Sequence, residues 1–274
     1  MGLNEDYARK YEACCAGLRE YAAGPGFTDV VIGLSGGIDS TLVAKICVDV
    51  FGADHVHGYM LPGPYSTSHS LDDARNLASN LGIDAEVISI LAPFDGFNQA
   101  LEHACGGPLA GLALENTQAR CRMVCLMALS NTYGWMLVNT GNKSEAAMGF
   151  STLYGDTAGA YAPIGGLYKT DVFGMCRWLN AQAQAAGEVP PIPEHVLTKP
   201  PSAELSPDAK DEVAMGIDYD TLDKILVAHY EHGISVDELA AEGFDRKQVA
   251  YVVRRTDGYA FKRAMEPPFP VIEY

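Results

Sequence analysis

The sequence predicts an α/β protein with a doubly wound, Rossmann-like parallel sheet and a set of C-terminal helices. Short apolar runs rich in β-branched residues suit buried strands and fall at residues 30–32, 55–61, 84–90 and 136–140. Helical segments of 10 to 20 residues separate these runs, so the strands are expected to be parallel and joined by right-handed crossovers. The core of the sheet is predicted to extend over about residues 27–186.

The connecting helices follow from apolar spacing and from residues that begin or end helices. Helices are predicted over residues 3–23, 40–51, 70–81 and 114–131. Ser70 and Asp73 resemble a capping box at the start of the third helix, and Thr170 is expected to cap a helix that runs to about Ala185. Residues 149–169, just before the helix expected from Thr170, lack helical periodicity. This predicts either a ligand-covering loop or a surface Ω-loop.

The last third of the chain divides into a proline-rich segment and a helical cap. Residues 187–218 are rich in proline and acidic side chains, and we expect them to be mobile in the empty protein. Helices are predicted over 219–231, 235–241 and 245–257, the second opened by Ser235 and Glu238. Residues 1–274 are interpreted as a single domain in which the cap, about 219–274, packs on the sheet or on a partner subunit.

Composition limits the classes of partner. The net charge of −16 argues against nucleic acid and anionic membranes, because both require clustered Lys and Arg. The seven cysteines form no CxxC pair, which is typical of a reducing compartment and disfavours zinc or redox roles. No signal peptide and no apolar run of membrane length is visible, so we expect a cytoplasmic location.

The first predicted strand ends in a glycine-rich turn, VVIGLSGGIDS, at residues 30–40. Gly36 and Gly37 allow the chain to turn sharply into a helix, whose first amides would lie unpaired at the positive end of its dipole. The hydroxyls of Ser35 and Ser40 add donors, so phosphate is the expected ligand. No lysine follows the second glycine, which excludes a P-loop. The simpler alternative is an ordinary βα turn with incidental glycines.

Two carboxylates follow neighbouring strands. Asp39 comes after the first strand and Glu145 after the fourth, and the carboxyl ends of parallel strands share one edge of a sheet. Such a pair can hold Mg²⁺ beside a triphosphate, although both residues could simply be solvated acids. Lys169 and Lys199 are expected outside regular structure, where each could reach a phosphate or remain a solvated charge.

Arg120 lies inside the predicted long helix at 114–131. Its planar guanidinium could bind a second anion. The alternative is a pairing within the helix with Glu115 or Asn116.

Several long stretches of the sequence resemble NAD synthetase. SGGIDS is similar to the pyrophosphate loop of ATP pyrophosphatases. It is followed, in order, by ENTQARCRMVCLMALSN, NTGNKSEAAMGFSTLYGDTAGAYAP, LYKTDV, KPPSAELSPDAKDE and YAFKR. The resemblance covers about residues 3–268 and implies the adenine nucleotide alpha hydrolase-like fold.

The resemblance also implies a reaction, the ATP-dependent amidation of deamido-NAD. The nicotinate carboxylate attacks the α phosphorus of ATP, Mg-pyrophosphate leaves, and ammonia displaces AMP from the mixed anhydride to give NAD. Members of the family are homodimers with the nucleotide site near the interface. Expected partners are therefore ATP as co-substrate, deamido-NAD, ammonia, Mg²⁺ and a second copy of the chain.

By similarity, the site residues fall into groups by ligand. The expected ATP-binding residues are Gly33, Leu34, Ser35, Gly36, Gly37, Ile38, Asp39, Ser40, Leu61, Thr140, Lys169 and Ser202. The expected deamido-NAD-binding residues are Asn116, Arg120, Glu145 and Lys262. Asp39 and Glu145 would flank Mg²⁺. Asp156 would accept a proton from ammonium, which has no free lone pair, and Lys169 would stabilise charge on the transferred phosphorus.

Three positions depart from the small ammonia-dependent bacterial form. Leu153, Ala160 and Phe261 stand where that form has lysine, aspartate and histidine, which leaves the deamido-NAD contacts open. KPPSAEL and the aromatic residue before Lys262 are more similar to the synthetase domain of glutamine-dependent enzymes. Because one helix alone precedes residue 27, no glutaminase domain is expected, and ammonia would come from solution or from a separate glutaminase.

Two other classes of function remain open. One is a different AMP-forming amidase or thiolase, acting on a purine nucleotide or on tRNA. The acidic charge and the missing CxxC disfavour tRNA. The other is a non-catalytic nucleotide sensor, which the complete set of predicted catalytic side chains disfavours.

Overall fold

The computed structural model describes residues 2–207 and 210–274. In these residues four parallel strands form one sheet in the order β3-β2-β1-β4. The strands are β1 (Val30–Gly33), β2 (Val56–Met60), β3 (Asp84–Val87) and β4 (Met136–Leu137). The predicted α/β fold with a doubly wound parallel sheet is confirmed.

Helices surround the sheet and continue beyond it to the C-terminus. They are α1 (Leu3–Ala23), α2 (Ile38–Phe51), α3 (Ser68–Leu81), α4 (Leu91–Cys105), α5 (Gly111–Tyr133), α6 (Lys143–Met148), α7 (Lys169–Ala186), α8 (Glu194–Thr198), α9 (Asp211–Met215), α10 (Tyr219–Leu226), α11 (Val236–Ala241), α12 (Arg246–Gly258) and α13 (Ala260–Arg263). A short 3₁₀ turn, Ala53–His55, precedes β2, and a π-helical turn, Val227–Glu231, extends α10. No helix in these residues combines the length and apolarity needed to cross a bilayer.

The central strand β1 is buried on both faces, because helices cover both sides of the sheet. Val30 and Ile32 point into a core shared with α1, α2, α3 and α7. Val31 points into a second core, with Phe94 of α4 and Leu126 of α5. This two-sided burial explains why the strand is a continuous β-branched run with no alternation of polar residues.

The order of the strands reverses beside β1. The chain moves from β1 through β2 to β3, then returns through α4 and α5 to place β4 on the other side of β1. In such sheets ligands bind at the carboxyl ends of the strands where the order switches. The segments after β1 and β4 therefore meet at this edge.

The C-terminal helices have a core of their own. Leu222, Leu239 and Val252 are fully buried there, and they pack with Met148 at the end of α6 and Tyr168 just before α7. The cap core contains residues of α6 and the residue before α7 rather than strand residues, so the expected packing on the sheet is not what this core shows. Packing on a partner subunit stays a prediction.

Several local predictions are wrong at element ends. The helix predicted from Ser70 begins at Ser68 and is capped by Thr67, whose hydroxyl accepts from the Ser70 amide. Thr170 does not cap α7, because the helix begins at Lys169 with Tyr168 as its N-cap residue. Helices α4 and α6 were not predicted.

Three strands are shorter than predicted, and the second loses one residue at each end. The third ends at Val87 rather than at residue 90, and the fourth ends at Leu137 rather than at 140. Beyond Leu137, Val138 forms a bridge to Tyr161 of the long loop, so the loop takes the place of a longer ladder.

The proline-rich segment 187–218 contains α8 and α9. Its predicted mobility stays a prediction. Within it, residues 208 and 209 lie outside the described residues, as does residue 1 at the start of the predicted domain.

Candidate active site

The glycine-rich loop after β1 leaves the start of α2 open. Gly36 has a φ of +74°, and a Cβ at this position would lie 2.1 Å from the carbonyl oxygen of Ser70, so only glycine fits. Gly37 is the N-cap residue and supplies no side-chain cap. Within the described chain no protein acceptor pairs with the amides of Ile38, Asp39 or Ser40. These amides can therefore bind an anion.

Hydrogen bonds inside the loop fix its shape. The Ser35 hydroxyl accepts from the Gly37 amide at 3.1 Å and lies 2.9 Å from the Ser40 hydroxyl. The Ser40 hydroxyl donates to the Gly37 carbonyl oxygen at 3.2 Å. The two serines thus brace the turn before any ligand binds.

A lysine lies between the two predicted metal ligands. The Nζ of Lys169 is 2.5 Å from Asp39 Oδ2 and 2.8 Å from Glu145 Oε1, and its side chain is 2% exposed. Burial alone lowers the pKa of Lys169, but the two carboxylates outweigh burial and raise it, so the ammonium stays charged. The expectation that Lys169 lies outside regular structure is wrong, since it is the first residue of α7.

Asn142 links the Asp39 carboxylate to the backbone of Glu145. Its Nδ2 donates to Asp39 Oδ1 at 2.8 Å, while its Oδ1 accepts from the Glu145 amide at 3.0 Å and caps α6. On the other side of Glu145, the hydroxyl of Tyr219 is 3.4 Å from Oε1. Burial raises the pKa of the Glu145 carboxyl, Lys169 lowers it, and the neighbouring acids raise it again, which leaves it above its ordinary value.

A cavity of about 320 Å³ lies beside this cluster at the switch point of the sheet. The predicted site residues that line it are Gly33, Leu34, Ser35, Gly37, Ile38, Asp39, Ser40, Leu61, Thr140, Glu145, Asp156, Lys169 and Ser202. Gly36 does not line the cavity but packs behind the loop against Ser70.

Three predicted deamido-NAD residues lie outside that cavity and hold the start of the long loop. Asn116 accepts from the Thr152 hydroxyl at 2.8 Å. Arg120 Nε donates to the Leu153 carbonyl oxygen at 3.2 Å, so neither pairing proposed for it within α5 forms. Lys262 Nζ donates to the carbonyl oxygens of residues 149 and 151. All three therefore support the loop that carries Asp156.

Asp156 faces the cavity from this loop. Its carboxylate accepts from the Thr152 amide at 2.5 Å, and its carbonyl oxygen accepts from Asn139 Nδ2 at 2.6 Å. The side chain is open to the cavity but otherwise surrounded by protein, and this desolvation raises the pKa of Asp156. A carboxylate with a raised pKa is a better base toward ammonium than an ordinary one.

The far wall of the cavity is a strap, residues 199–205. It is held on α3 and its N-cap by one side chain that donates hydrogen bonds and another that accepts them. Lys199 donates to Asp73 at 2.7 Å, so it is ion-paired rather than free for a phosphate. Glu204 accepts from the Thr67 amide at 3.1 Å and from the Ser70 hydroxyl at 2.7 Å. These contacts explain why Ser70 and Asp73 do not form the predicted capping box.

Comparison with known proteins shows which family the chain belongs to. The NAD synthase family model matches residues 10–266. The chain belongs to the NAD synthase family. It is 44% identical over 270 residues to the glutamine-dependent NAD(+) synthetase of Rhodobacter capsulatus, covering 97% of this chain and 48% of that protein. The chain thus spans about half the length of the curated relatives that it matches.

Two solved structures share the fold over nearly their whole chains. The NH3-dependent NAD synthetase from Campylobacter jejuni aligns with a TM-score of 0.75 and 28% identity, covering 94% of this chain and 96% of that one. The NMN synthetase from Francisella tularensis aligns with a TM-score of 0.76 and 26% identity, covering 94% and 95%.

The carboxylate pair fits Mg²⁺ in chemistry but is incomplete as a cage. Asp39 and Glu145 already converge on one cationic atom, the Nζ of Lys169, and oxygen donors suit Mg²⁺. Among residues 2–207 and 210–274, no group of three or more His, Cys, Asp or Glu side chains is placed to hold a metal. Further oxygens would have to come from phosphate and water, as is usual for this ion beside nucleotides.

Some residues of the site were missed in the sequence. Asn142 carried a readable signal, because Asn followed three residues later by Glu145 is a helix-start pattern. Asp211 and Tyr219 reach Glu145 from α9 and α10, and their spacing in sequence gives no sign of it. Ser144 and Asp223, described below, also escaped notice.

Proposed function

We propose that the protein amidates deamido-NAD to NAD with ATP. In this reaction the nicotinate carboxylate attacks the α phosphorus, pyrophosphate leaves, and ammonia then displaces AMP from the adenylate. The observation that carries the proposal is the position of Lys169, fixed between two carboxylates beside a helix start whose amides are unpaired. Family membership supports it.

The open end of α2 would bind the outer phosphates of ATP. Its amides and dipole attract anions, and the braced loop needs no reorganisation to receive them. Lys169 would then stabilise the negative charge that grows on the transferred phosphorus. Leu61, Thr140 and Ser202 line the same cavity and would contact the nucleotide.

Asp39 and Glu145 would hold Mg²⁺ when it is bound. The ion supplies charge neutralisation for the departing pyrophosphate. Within the protein, Asn142 orients the Asp39 carboxylate and caps the helix that carries Glu145, while Lys169 contacts both carboxylates.

Asp156 would accept the proton of ammonium. Its carboxylate is oriented by the Thr152 amide, and its raised pKa suits proton transfer. The residues proposed to bind deamido-NAD around the same loop are Asn116, Arg120, Glu145 and Lys262. Three of them, Asn116, Arg120 and Lys262, also hold the loop itself through hydrogen bonds.

The nitrogen source is proposed to be ammonia. One structural neighbour of nearly the same length is NH3-dependent. The curated relatives are glutamine-dependent and about twice as long. Delivery of ammonia by a separate glutaminase is the alternative within this function.

One assay tests the function and its alternatives together. Purified protein receives ATP, Mg²⁺ and deamido-NAD, with ammonium or glutamine, and the formation of NAD, AMP and pyrophosphate is followed. We expect turnover with ammonium alone. A parallel arm replaces deamido-NAD with deamido-NMN, since one structural neighbour is an NMN synthetase. Release of ADP and phosphate, or nucleotide binding without AMP, would contradict the proposal.

The face of α5 that points away from the sheet is proposed to bind a second copy of the chain. Leu112, Val124 and Met127 are exposed along this helix, with Val124 63% exposed. Large apolar side chains exposed together on a surface helix are typical of an interaction site. Burying these side chains against the same face of another copy would form the homodimer that the family resemblance implies.

Sedimentation of the wild type and of Val124→Asp tests this interface. We expect a dimer for the wild type and a monomer for the variant, because an unpaired carboxylate would be buried at the contact. A matched change at an exposed apolar residue elsewhere, Val213→Asp on α9, should leave the dimer intact. A monomeric wild type would end this part of the proposal.

A cytoplasmic location is also proposed. All seven cysteines are free, and five of them, Cys14, Cys15, Cys47, Cys121 and Cys176, are buried. Free thiols in this number are typical of a reducing compartment.

A further inference from the structure

The helix that carries Lys169 has no local cap. Tyr168 is the N-cap residue of α7, and its side chain makes no capping hydrogen bond. Its hydroxyl instead donates to Glu231 at 2.6 Å. The first amides of the helix must therefore find acceptors elsewhere.

Those acceptors come from three distant segments. The Tyr168 amide donates to the Tyr274 hydroxyl at 3.1 Å. The Lys169 amide donates to Ser144 Oγ at 2.8 Å, and the Thr170 amide donates to Asp223 Oδ2 at 2.8 Å. The start of α7 is thus fixed by tertiary contacts alone.

Asp223 is the centre of this arrangement. While Oδ2 accepts from the Thr170 amide, Oδ1 accepts from the Ser144 hydroxyl at 2.5 Å. Ser144 precedes Glu145, and Thr170 follows Lys169. One carboxylate from α10 in the cap therefore joins the two backbone segments that present Glu145 and Lys169.

We propose that Asp223 is a positioning residue, which holds the start of α7 against α6 so that Lys169 lies between Asp39 and Glu145. This inference rests on the proposed function, because the roles of Lys169 and Glu145 do. Asp223 acts through Ser144 and through the backbone, and it does not line the cavity.

A carboxylate suits this place better than an uncharged group. Two donors converge on it, and each oxygen serves one of them, which a side-chain amide with a single acceptor oxygen cannot do. It lies at the positive end of the α7 dipole, where a negative charge is favourable. Burial nevertheless raises the pKa of Asp223 to about 6, which shows how little solvent reaches it.

The test compares Asp223→Asn with two controls. Asp220→Asn removes a carboxylate from the same helix, but this residue is 75% exposed and pairs with Lys224. Val252→Ala removes two methyl groups from the core of the cap and loosens it without touching α6 or α7 hydrogen bonds. We expect Asp223→Asn to lower kcat on the order of 10- to 100-fold while the KM for ATP changes less than about threefold.

The controls separate positioning from stability. Both Asp220→Asn and Val252→Ala should keep kcat within about twofold at a temperature well below unfolding. Ser144→Ala should resemble Asp223→Asn, and the double variant should lose little more than either, because the two residues act in one chain of contacts. A kcat near wild type in Asp223→Asn, or an equal loss in Val252→Ala, would overturn the inference.

A crystal structure of Asp223→Asn tests the positioning role independently of the proposed function. If the wild type does not make NAD, the proposed function fails, but the distances from Lys169 Nζ to the two carboxylates still decide the inference. We expect at least one of the present 2.5 and 2.8 Å distances to lengthen beyond hydrogen-bond reach. Unchanged distances would refute positioning by Asp223.

Discussion

The starts of α2 and α7 face the same carboxylates but treat their unpaired amides in opposite ways. In α2 the amides of Ile38, Asp39 and Ser40 have no acceptor in the described part of the chain. In α7 the first amides are bound by hydroxyl and carboxylate groups from other segments. An open helix start suits a ligand anion, whereas a closed one holds a side chain in place. The same backbone chemistry thus provides binding at one helix and rigidity at the other.

The largest effect is expected from removing the positive charge of Lys169 at the start of α7, the helix whose first amides are bound by other segments. Lys169→Ala should lower kcat on the order of 100- to 1000-fold, because charge on the transferred phosphorus loses its buried partner. Steady-state kinetics with ATP and deamido-NAD measure this. Lys45→Ala is the matched control and should remain near wild type, because Lys45 lies on α2, pairs with Asp49 and does not line the cavity. Near-normal turnover of Lys169→Ala would refute its role.

The open helix is tested by Gly36→Ala. The new Cβ would lie 2.1 Å from the Ser70 carbonyl oxygen at a φ of +74°, so the loop must shift and its amides lose their alignment. We expect the KM for ATP to rise by on the order of 10-fold or more.

The control for this variant is Gly187→Ala, after α7. It has nearly the same φ of +76° but no atom near its Cβ position. Gly187→Ala should lower the free energy of unfolding by about 1 kcal/mol through backbone strain, without changing the KM for ATP. If both variants bind ATP equally well, the loop does not bind phosphate as proposed.

The closed helix should also give a pH-dependent stability. A folded pKa of about 6 against 3.8 means that Asp223 binds a proton in the folded state at pH values where the unfolded chain does not. Its contribution to the free energy of unfolding therefore falls as pH rises from about 4 to 7, by on the order of 3 kcal/mol.

Melting temperatures of the wild type and Asp223→Asn at pH 5 to 8 measure this. The difference, wild type minus variant, should grow as the pH falls from 7 to 5. The charged and titratable groups that face Asp223 are Lys10, Tyr168, Asp171 and Tyr274 from neighbouring elements and Tyr219, Asp220 and Lys224 from its own helix. The wild type and Asp223→Asn both contain these groups, so their titration should largely cancel in the comparison. A difference in melting temperature that is independent of pH would therefore contradict the raised pKa of Asp223.

The smallest effect is expected at a helix start that caps itself. Ser235 and Glu238 form a complete capping box at α11, far from the site. Ser235→Ala should lower the free energy of unfolding by about 1 kcal/mol and leave kcat unchanged. Thermal unfolding and kinetics check both parts. A large loss of activity here would mean that stability of the cap, rather than the contacts at α7, controls the site.

These helix starts also show what the sequence can predict. The capping box at Ser235 and the glycine turn at Gly36 were predictable, because the residues that determine them lie within a few positions of each other. The capping box predicted at Ser70 and Asp73 failed for the opposite reason. Asp73 is engaged by His195 and Lys199 from a distant segment, and local spacing carries no trace of them.

The same limit applies to the candidate site. The meeting of Asp39 and Glu145 was predictable from the shared edge of a parallel sheet. That Lys169 joins them, from the first residue of a helix, depends on Asp223, more than 50 residues further along the chain. The resemblance to a family indicated which residues belong to the site. Their distances and contacts could be learned only from the folded structure.

Asn142 shows how little chemical freedom the centre of the site has. Its amide donates to Asp39 and accepts from the Glu145 backbone, and aspartate, although equal in size, can perform only the second task at neutral pH. Hydrolysis of this one amide during ageing would set two negative groups against each other at 2.8 Å. A change of one NH2 group to an oxygen would thus disturb the orientation of Asp39 without altering the shape of the site.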